Sequence, residues 1–120
     1  MKLHNYKELK IWQKSRSLVK IVYKLTSKFP KDELYGIMSQ IRRASVSIPA
    51  NIAEGSGRGT DKDFNHFLDI ARGSLFELET LLILSRDLEF LSDEELNSIL
   101  KIISEIIRMT LSFQDKLTID

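Results

Sequence analysis

The sequence predicts an all-α protein, an antiparallel up-down-up-down four-helix bundle that forms a single domain over residues 1–120. Apolar residues recur every three or four positions along four segments, and no segment shows the strict alternation of a strand. Short stretches rich in Gly, Pro, Ser and Asp separate the segments. The predicted helices cover residues 6–28, 31–55, 61–89 and 93–116. Because the connections are short, consecutive helices are expected to run antiparallel.

The first predicted helix has an apolar face and a basic face. It begins after Asn5, a good N-cap residue, and ends before Pro30. The apolar face is predicted to contain Trp12, Leu18, Val19, Val22, Leu25 and Phe29. The opposite face carries Lys10, Lys14, Arg16, Lys20, Lys24, Lys28 and Lys31.

The second predicted helix contains a proline. Its apolar periodicity runs from Leu34 to Ile52 and therefore continues through Pro49. Proline removes one backbone donor and crowds the carbonyl of Ser45, so the helix is predicted to kink at Pro49 rather than to end there. Its end is predicted at Gly55, because glycine often follows the last turn of a helix.

A polar stripe lies opposite the apolar face of the second helix. Its members are Gln40, Arg43, Ser47, Asn51 and Glu54. The structural interpretation pairs Arg43 with Asp69 or Glu77 on the third helix, while Arg42 lies nearer the apolar boundary with its charged end in water. The functional interpretation makes the stripe a contact for a ligand or another subunit.

The third and fourth helices have clear starting signals and broad apolar surfaces. Thr60 is predicted to cap the third helix, and Ser92 with Glu95 forms a capping box at the start of the fourth. Apolar residues also occur beside the main seams, at Ile70, Phe76, Ile83, Ile102 and Met109. We expect part of this surface to be shared between subunits, the alternative being scattered surface residues.

The charge is divided unevenly along the chain. Residues 1–31 contain nine Lys or Arg, Lys2 among them, and one acid, which gives +8. Residues 32–120 contain nine Lys or Arg and sixteen acids, which gives −7 and accounts for the net charge of +1. A basic helix on an acidic body can pair with acidic faces of its own oligomer or bind a polyanion.

No residue pattern indicates an enzyme, a metal site or a cofactor. His4 and His66 are far apart and lack the spacing of metal ligands. The glycines of residues 55–59 follow a predicted helix, whereas phosphate-binding loops follow a strand. We therefore interpret them as a helix end and linker, although Arg58 and the start of the third helix could accept an anion.

The basic face of the first helix is the strongest candidate for a binding surface. The predicted nucleic-acid-binding residues are Lys10, Lys14, Lys20, Lys24, Lys28 and Arg58. The alternative is a solvated face that keeps the protein in solution. Because Trp12 is assigned to the core and Tyr6 and Tyr23 lie near the edge, the pattern does not support sequence-specific reading of bases.

Composition also limits the class of protein. The chain contains no cysteine, which excludes disulfides and thiolate metal sites. It has no signal-peptide pattern and no apolar run long enough to span a membrane. We therefore expect a cytoplasmic protein without a membrane partner.

The stretch SQIRRASVSIPANIAEGSGR, from Ser39 to Arg58, resembles the signature of the 23S rRNA intervening-sequence protein family, whose members are often called four-helix bundle proteins. The likeness extends to LKIWQKS, YKLTSKFPKDELYG and FNHFLDIARGSLFELET, and so covers residues 6–91. The resemblance implies a homopentamer of four-helix protomers with a poorly defined role. Some members are encoded within ribosomal RNA genes. A related protein, the accessory variability determinant of diversity-generating retroelements, is a pentamer that engages a reverse transcriptase and nucleic acid.

Two functional hypotheses follow. The first is a non-enzymatic oligomeric scaffold that binds structured RNA or a nucleoprotein through the basic face of the first helix. The alternative is a protein–protein adaptor or assembly module with no nucleic-acid role.

Overall fold

The computed structural model describes residues 4–117, and within them all regular structure is helical. The helices are α1 (Lys10–Thr26), α2 (Ile37–Ser56), α3 (Asp61–Asp87) and α4 (Asp93–Asp115). Short 3-10 turns occur at Tyr6–Glu8 and Lys31–Glu33. The four helices pack into an elongated bundle of 48 × 24 × 21 Å, which confirms the predicted fold class. Residues 1–3 and 118–120 of the predicted domain, including Lys2, lie outside the described residues.

Two helices begin later than the sequence predicted. Asn5 caps the 3-10 turn Tyr6–Glu8 instead of α1, with its side-chain oxygen accepting from the backbone N–H of Lys7 at 3.3 Å. Similarly, Pro30 precedes the 3-10 turn Lys31–Glu33, and α2 begins only after Gly36, whose backbone is not helical (φ −111°, ψ −123°). At the same end of the bundle as Pro30, where Phe29 packs against Phe90, α3 ends at Asp87, two residues before the predicted position of 89.

The prediction that Gly55 ends the second helix is wrong. α2 continues through Pro49 and includes Gly55, which is buried. A Cβ on Gly55 would lie 2.7 Å from the Cβ of Phe67 and 2.9 Å from the Cδ1 of Phe64. Gly55 is therefore needed for the close approach of α2 and α3, and the chain turns at Gly57 and at Gly59, which has φ 91°.

The core-facing side of α1 contains fewer large side chains than predicted. Its buried residues are Ile11, Ser15, Leu18, Val22 and Thr26. Trp12, Val19 and Leu25 are only half-buried. The hydroxyls of Ser15 and Thr26 donate to the carbonyls of Ile11 and Val22 at 2.6 and 2.8 Å, so their burial leaves no unsatisfied donor. These small residues let neighbouring helices pack closely against α1.

The predicted starts of α3 and α4 are correct. The Thr60 hydroxyl accepts from the N–H of Asp63 at 3.1 Å. At α4 the Ser92 hydroxyl accepts from the N–H of Glu95 at 3.1 Å, and the Glu95 carboxylate accepts from the N–H of Ser92 at 2.9 Å. This complete capping box fixes the turn between α3 and α4.

Candidate nucleic-acid interface

The basic side chains predicted on the first helix are exposed in the structure. They are Lys10, Lys14, Arg16, Lys20, Lys24, Lys28 and Lys31. α1 packs against α2 and α4, and the side of α1 that faces away from both helices is exposed to solvent. With 17 residues and a rise of about 1.5 Å per residue, α1 presents Lys10, Lys14, Arg16, Lys20 and Lys24 along about 25 Å. Lys28, predicted to lie on the first helix, and Lys31 instead lie beyond its end, in the connection to α2. We refer to this surface as the basic face.

Two lysines at one edge of the basic face pair with acids on α4. The Nζ of Lys14 lies 2.5 Å from the Oε1 of Glu105, and the Nζ of Lys28 donates to the Oε2 of Glu95. The neighbouring ammonium groups lower the pKa of both carboxyls, and the N–H of Ser92 adds to the effect at Glu95. The Lys14 pair connects α1 to α4, and the Lys28 pair connects the segment after α1 to α4. Both pairs partly neutralise the edge.

The remaining lysines of the basic face are free to meet a partner. Within residues 4–117, Lys10, Lys20 and Lys24 form no ion pair. An exposed ammonium group without an ion pair can bind a phosphate directly. A lysine that is already paired must first separate from its carboxylate partner. The structure thus separates Lys14 and Lys28, which pair with acids of α4, from Lys10, Lys20 and Lys24, which form no ion pair among residues 4–117.

Arg58, also predicted to contact nucleic acid, lies on another side of the bundle. Its guanidinium donates to the Glu54 carboxylate at 3.1 Å and lies over the ring of Phe67 on α3, 4.7 Å from the ring centroid. α1 packs on the other flank of α2. The contacts of Arg58 therefore place it beside α3 and not with the lysines of the basic face.

The polar stripe of α2 divides into two parts. Its inner part packs against α3, where the hydroxyls of Ser47 and Ser74 lie 2.8 Å apart and the Asn51 amide donates to the Ser47 carbonyl at 2.8 Å. Gln40 and Arg43 are exposed. Glu54 forms the pair with Arg58. The stripe is thus partly a helix contact and partly open surface.

The predicted pairing of Arg43 with Asp69 or Glu77 is absent from the described residues. Asp69 instead accepts from the Gln114 amide at 2.8 Å and from Arg72 at 3.4 Å. Arg43 is exposed and lines a surface depression together with Tyr23 and Ser39.

Sequence reasoning did not find the depression that α2 forms with the end of α1 and the connection between them. It is lined by Tyr23, Leu34, Tyr35, Ser39, Arg42, Arg43, Val46 and Ser47. Arg42 does not simply extend into water, because its Nε donates to the Thr26 hydroxyl at 2.9 Å and its guanidinium lies 4.5 Å from the Tyr23 ring centroid. We refer to this surface as the Tyr-Arg depression. The available signal was Tyr35, a large aromatic residue beside Gly36 near the start of the second predicted helix.

Residues 4–117 contain no cluster of three or more His, Asp or Glu side chains that could hold a metal ion. His4 lies 3.4 Å from Asp61 and packs against Phe64, while His66 is exposed beside Phe67. Among the same residues, no helix combines the length and apolar character that crossing a membrane requires.

A comparison with known protein families shows which family this chain is related to. Residues 7–112 match the family described as 23S rRNA-intervening sequence protein. The chain belongs to this family. The match to the 23S rRNA-intervening sequence protein family spans α1, α2 and α3 and continues into α4 as far as residue 112. The sequence resemblance had ended at residue 91, before α4.

A solved structure supports the same relationship. It is a protein of unknown function from the S23 ribosomal protein family of Bacteroides thetaiotaomicron, with a TM-score of 0.79 and 28% sequence identity to this chain. The match covers 88% of this chain and 96% of that one. The comparison with curated proteins found no match.

Proposed function

We propose that this protein is a non-catalytic, oligomeric helical scaffold that binds structured RNA through the basic face of α1. The observation that carries the proposal is the row of exposed lysines in which Lys10, Lys20 and Lys24 have no ion-pair partner among residues 4–117. A cationic surface about 25 Å long is comparable with several phosphate spacings of a nucleic-acid backbone.

The chemistry of the basic face favours the backbone of the nucleic acid over its bases. Lysine ammonium groups are compact charges that neutralise phosphates, and phosphate contacts position a protein without reading sequence. Binding should therefore depend strongly on salt and weakly on sequence. In the pentamer that the family resemblance implies, several copies of the face would act together and increase the overall affinity.

The test is binding of a blunt hairpin RNA over a series of salt concentrations, followed by fluorescence anisotropy. We expect the double variant Lys20→Gln/Lys24→Gln to bind less tightly and to reduce the salt slope by about one for each phosphate that the protein no longer neutralises. The matched control is Lys62→Gln/Lys101→Gln, which removes the same charge from exposed positions on α3 and α4. Equal slopes for wild type and both variants would contradict the proposal.

A second candidate function, a protein–protein assembly module, is favoured by apolar side chains on the outer side of α3. Ile70, Phe76 and Leu84 are exposed, with Phe76 at 50%. By contrast, Ile83, Ile102 and Met109, which the sequence placed in the same group, pack against the core. Subunit contact would remove the outer residues from water and so contribute to assembly.

RNA binding separates the two candidates, and sedimentation velocity checks whether each variant keeps its assembly. The assembly function alone predicts that Lys20→Gln/Lys24→Gln changes no RNA binding, because none exists, and that Phe76→Glu dissociates the oligomer. The RNA-binding scaffold predicts an intact assembly for the lysine variant together with weakened RNA binding.

A further inference from the structure

The Tyr-Arg depression has a composition unlike the rest of the surface. Tyr35 is 94% exposed and Tyr23 is 42% exposed. Both lie beside Arg42 and Arg43, and among residues 4–117 no acidic residue lines the depression. The nearby Glu33 carboxylate lies against Gly36, and Glu33 does not line the depression. A nearly fully exposed aromatic ring beside two arginines is suited to a flat, electron-rich and negatively charged ligand.

Arg42 is held in place before any ligand arrives. Its Nε donates to the buried Thr26 hydroxyl at 2.9 Å, and a terminal nitrogen donates to the Tyr23 carbonyl at 3.4 Å. These bonds hold the guanidinium over the Tyr23 ring. A planar group fixed in this way loses little conformational entropy when another planar group stacks beside it.

Arg43 supplies a second cation with different properties. It is exposed and forms no ion pair within residues 4–117, so its guanidinium is available to a phosphate. The hydroxyls of Ser39 and Ser47 also line the depression, and either can donate to a base edge or to a ribose oxygen. Lys20 lies one helical turn before Tyr23, which connects the depression to the basic face.

We propose that the Tyr-Arg depression binds an unpaired nucleotide of single-stranded RNA, with the base stacked on Tyr35 and the phosphate paired with Arg43. Unstacked bases are recognised by aromatic rings and guanidinium planes, and their phosphates by nearby cations. This inference rests on the proposed function, because it takes RNA as the ligand, and it adds that the RNA has an unpaired segment next to its duplex.

A second copy of this chain is the other occupant to consider, since Leu34 and Val46 contribute exposed apolar surface at 44% and 43%. A self-contact here would bury two arginines beside which the described part of the chain places no acid in the depression. Burying an unpaired charge is costly, whereas a phosphate would neutralise it. The charge of the depression therefore favours RNA.

The experiment compares a blunt hairpin RNA with the same hairpin carrying a short single-stranded tail. We expect the tail to increase the affinity of the wild type and Tyr35→Ala to lose about tenfold of that increase, while Tyr35→Phe keeps it. A 2-aminopurine in the tail should be quenched by wild type and not by Tyr35→Ala. Leu111→Ala is the control, because it removes an exposed apolar side chain from α4, outside the depression, and should leave the tail effect intact.

The possible outcomes distinguish the Tyr-Arg depression from the basic face. A tail that adds no affinity, or a tail effect that Tyr35→Ala leaves intact, contradicts the stacking site while the blunt hairpin still tests the basic face. Dissociation of the oligomer by Tyr35→Ala without loss of the tail effect would assign the depression to a subunit contact. Binding of the tailed RNA alone, abolished by Tyr35→Ala, would support the depression and contradict the basic face. If neither RNA binds, both proposals are wrong.

Discussion

Arg42 on α2 donates from its Nε to the hydroxyl of Thr26 at the end of α1, across 2.9 Å. The same hydroxyl donates to the Val22 carbonyl at 2.8 Å, so Thr26 connects the α1 backbone to the guanidinium that lies over Tyr23. This small network determines how α1 and α2 meet at one end of the bundle, and it forms one wall of the Tyr-Arg depression.

The coupling between Thr26 and Arg42 can be measured with a double-mutant cycle. Thr26→Val keeps the buried volume and removes the hydroxyl, and Arg42→Met keeps the aliphatic stem and removes the guanidinium. We expect each to lower the free energy of unfolding by about 1 kcal/mol, with a coupling of comparable size in the double variant, because both remove the same bond. Urea unfolding measures the cycle. Strictly additive effects would show that the bond contributes nothing.

Gly55→Ala is expected to destabilise the protein although alanine favours helices. The added Cβ would lie 2.7 Å from the Cβ of Phe67 and 3.3 Å from the carbonyl oxygen of Phe64. These atoms move only if the α2 and α3 backbones separate, and overpacking of this kind costs about 1–3 kcal/mol, more than the ~1 kcal/mol gained from helix propensity.

Gly73→Ala is the matched control for Gly55→Ala. Gly73 is exposed inside α3, and a Cβ there would meet nothing within 4 Å. This substitution should raise the free energy of unfolding by about 0.5–1 kcal/mol. Urea unfolding of the two variants should therefore give effects of opposite sign, and stabilisation by Gly55→Ala would contradict the close approach of the helices.

The comparison at Gly55 shows what the sequence could and could not predict. The four helices, the Ser92 capping box and the exposed lysines follow from local periodicity and spacing, and the structure agrees with them. The end of α2 was mispredicted because the need for Gly55 comes from Phe64 and Phe67, whose position depends on how two helices pack.

For the candidate site, too, local features could be predicted from the sequence and contacts between helices could not. Lysine spacing predicted exposed cations on the first helix, and Lys10, Lys14, Lys20 and Lys24 of α1 are exposed. The pairing of Lys14 with Glu105 depends on the register between α1 and α4, which are far apart in sequence. The Tyr-Arg depression brings together residues of α1, α2 and their connection, so no single periodic pattern could indicate it.

The ion pairs that Lys14 of α1 and Lys28, just after α1, form with α4 predict how stability depends on pH. In the folded protein the pKa of Glu95 is lowered by Lys28 and that of Glu105 by Lys14. A lowered folded-state pKa contributes stability above the unfolded value of about 4.3 for glutamate, and the contribution is lost as pH falls through the folded pKa. Lys14→Gln/Lys28→Gln should therefore lose less stability than the wild type between neutral pH and about pH 3.

The measurement is urea unfolding at several pH values over that acidic range. Lys62→Gln/Lys101→Gln is the control, because it changes the net charge equally and removes no ion pair seen among residues 4–117. The control should follow the wild-type pH profile. A profile for Lys14→Gln/Lys28→Gln that matches the control would mean that the pairs do not hold their carboxyl pKa values down in solution.

Gln114 near the end of α4 is expected to stabilise the contact with α3. Its buried amide donates to the Asn65 side-chain oxygen at 2.9 Å and to Asp69 at 2.8 Å, and its oxygen accepts from Arg72 at 3.1 Å. Gln114→Met keeps the length of the side chain but leaves these partners without their bonds. Because the Nε of Arg72 is already buried without a partner among the described residues, losing the bond from its terminal nitrogen should be costly. We expect the free energy of unfolding to fall by about 1–3 kcal/mol.

Gln114→Glu tests the same network with a change of charge. The new carboxylate would accept from Arg72 but would repel Asp69 and could not donate to Asn65. We therefore expect it to be less stable than the wild type at neutral pH and to recover part of the loss as the pH falls and a carboxyl group takes up a proton. Urea unfolding at neutral and acidic pH measures both effects. Equal stability of Gln114→Met and wild type would show that solvent replaces these bonds without cost and that the end of α4 is held by its apolar contacts alone.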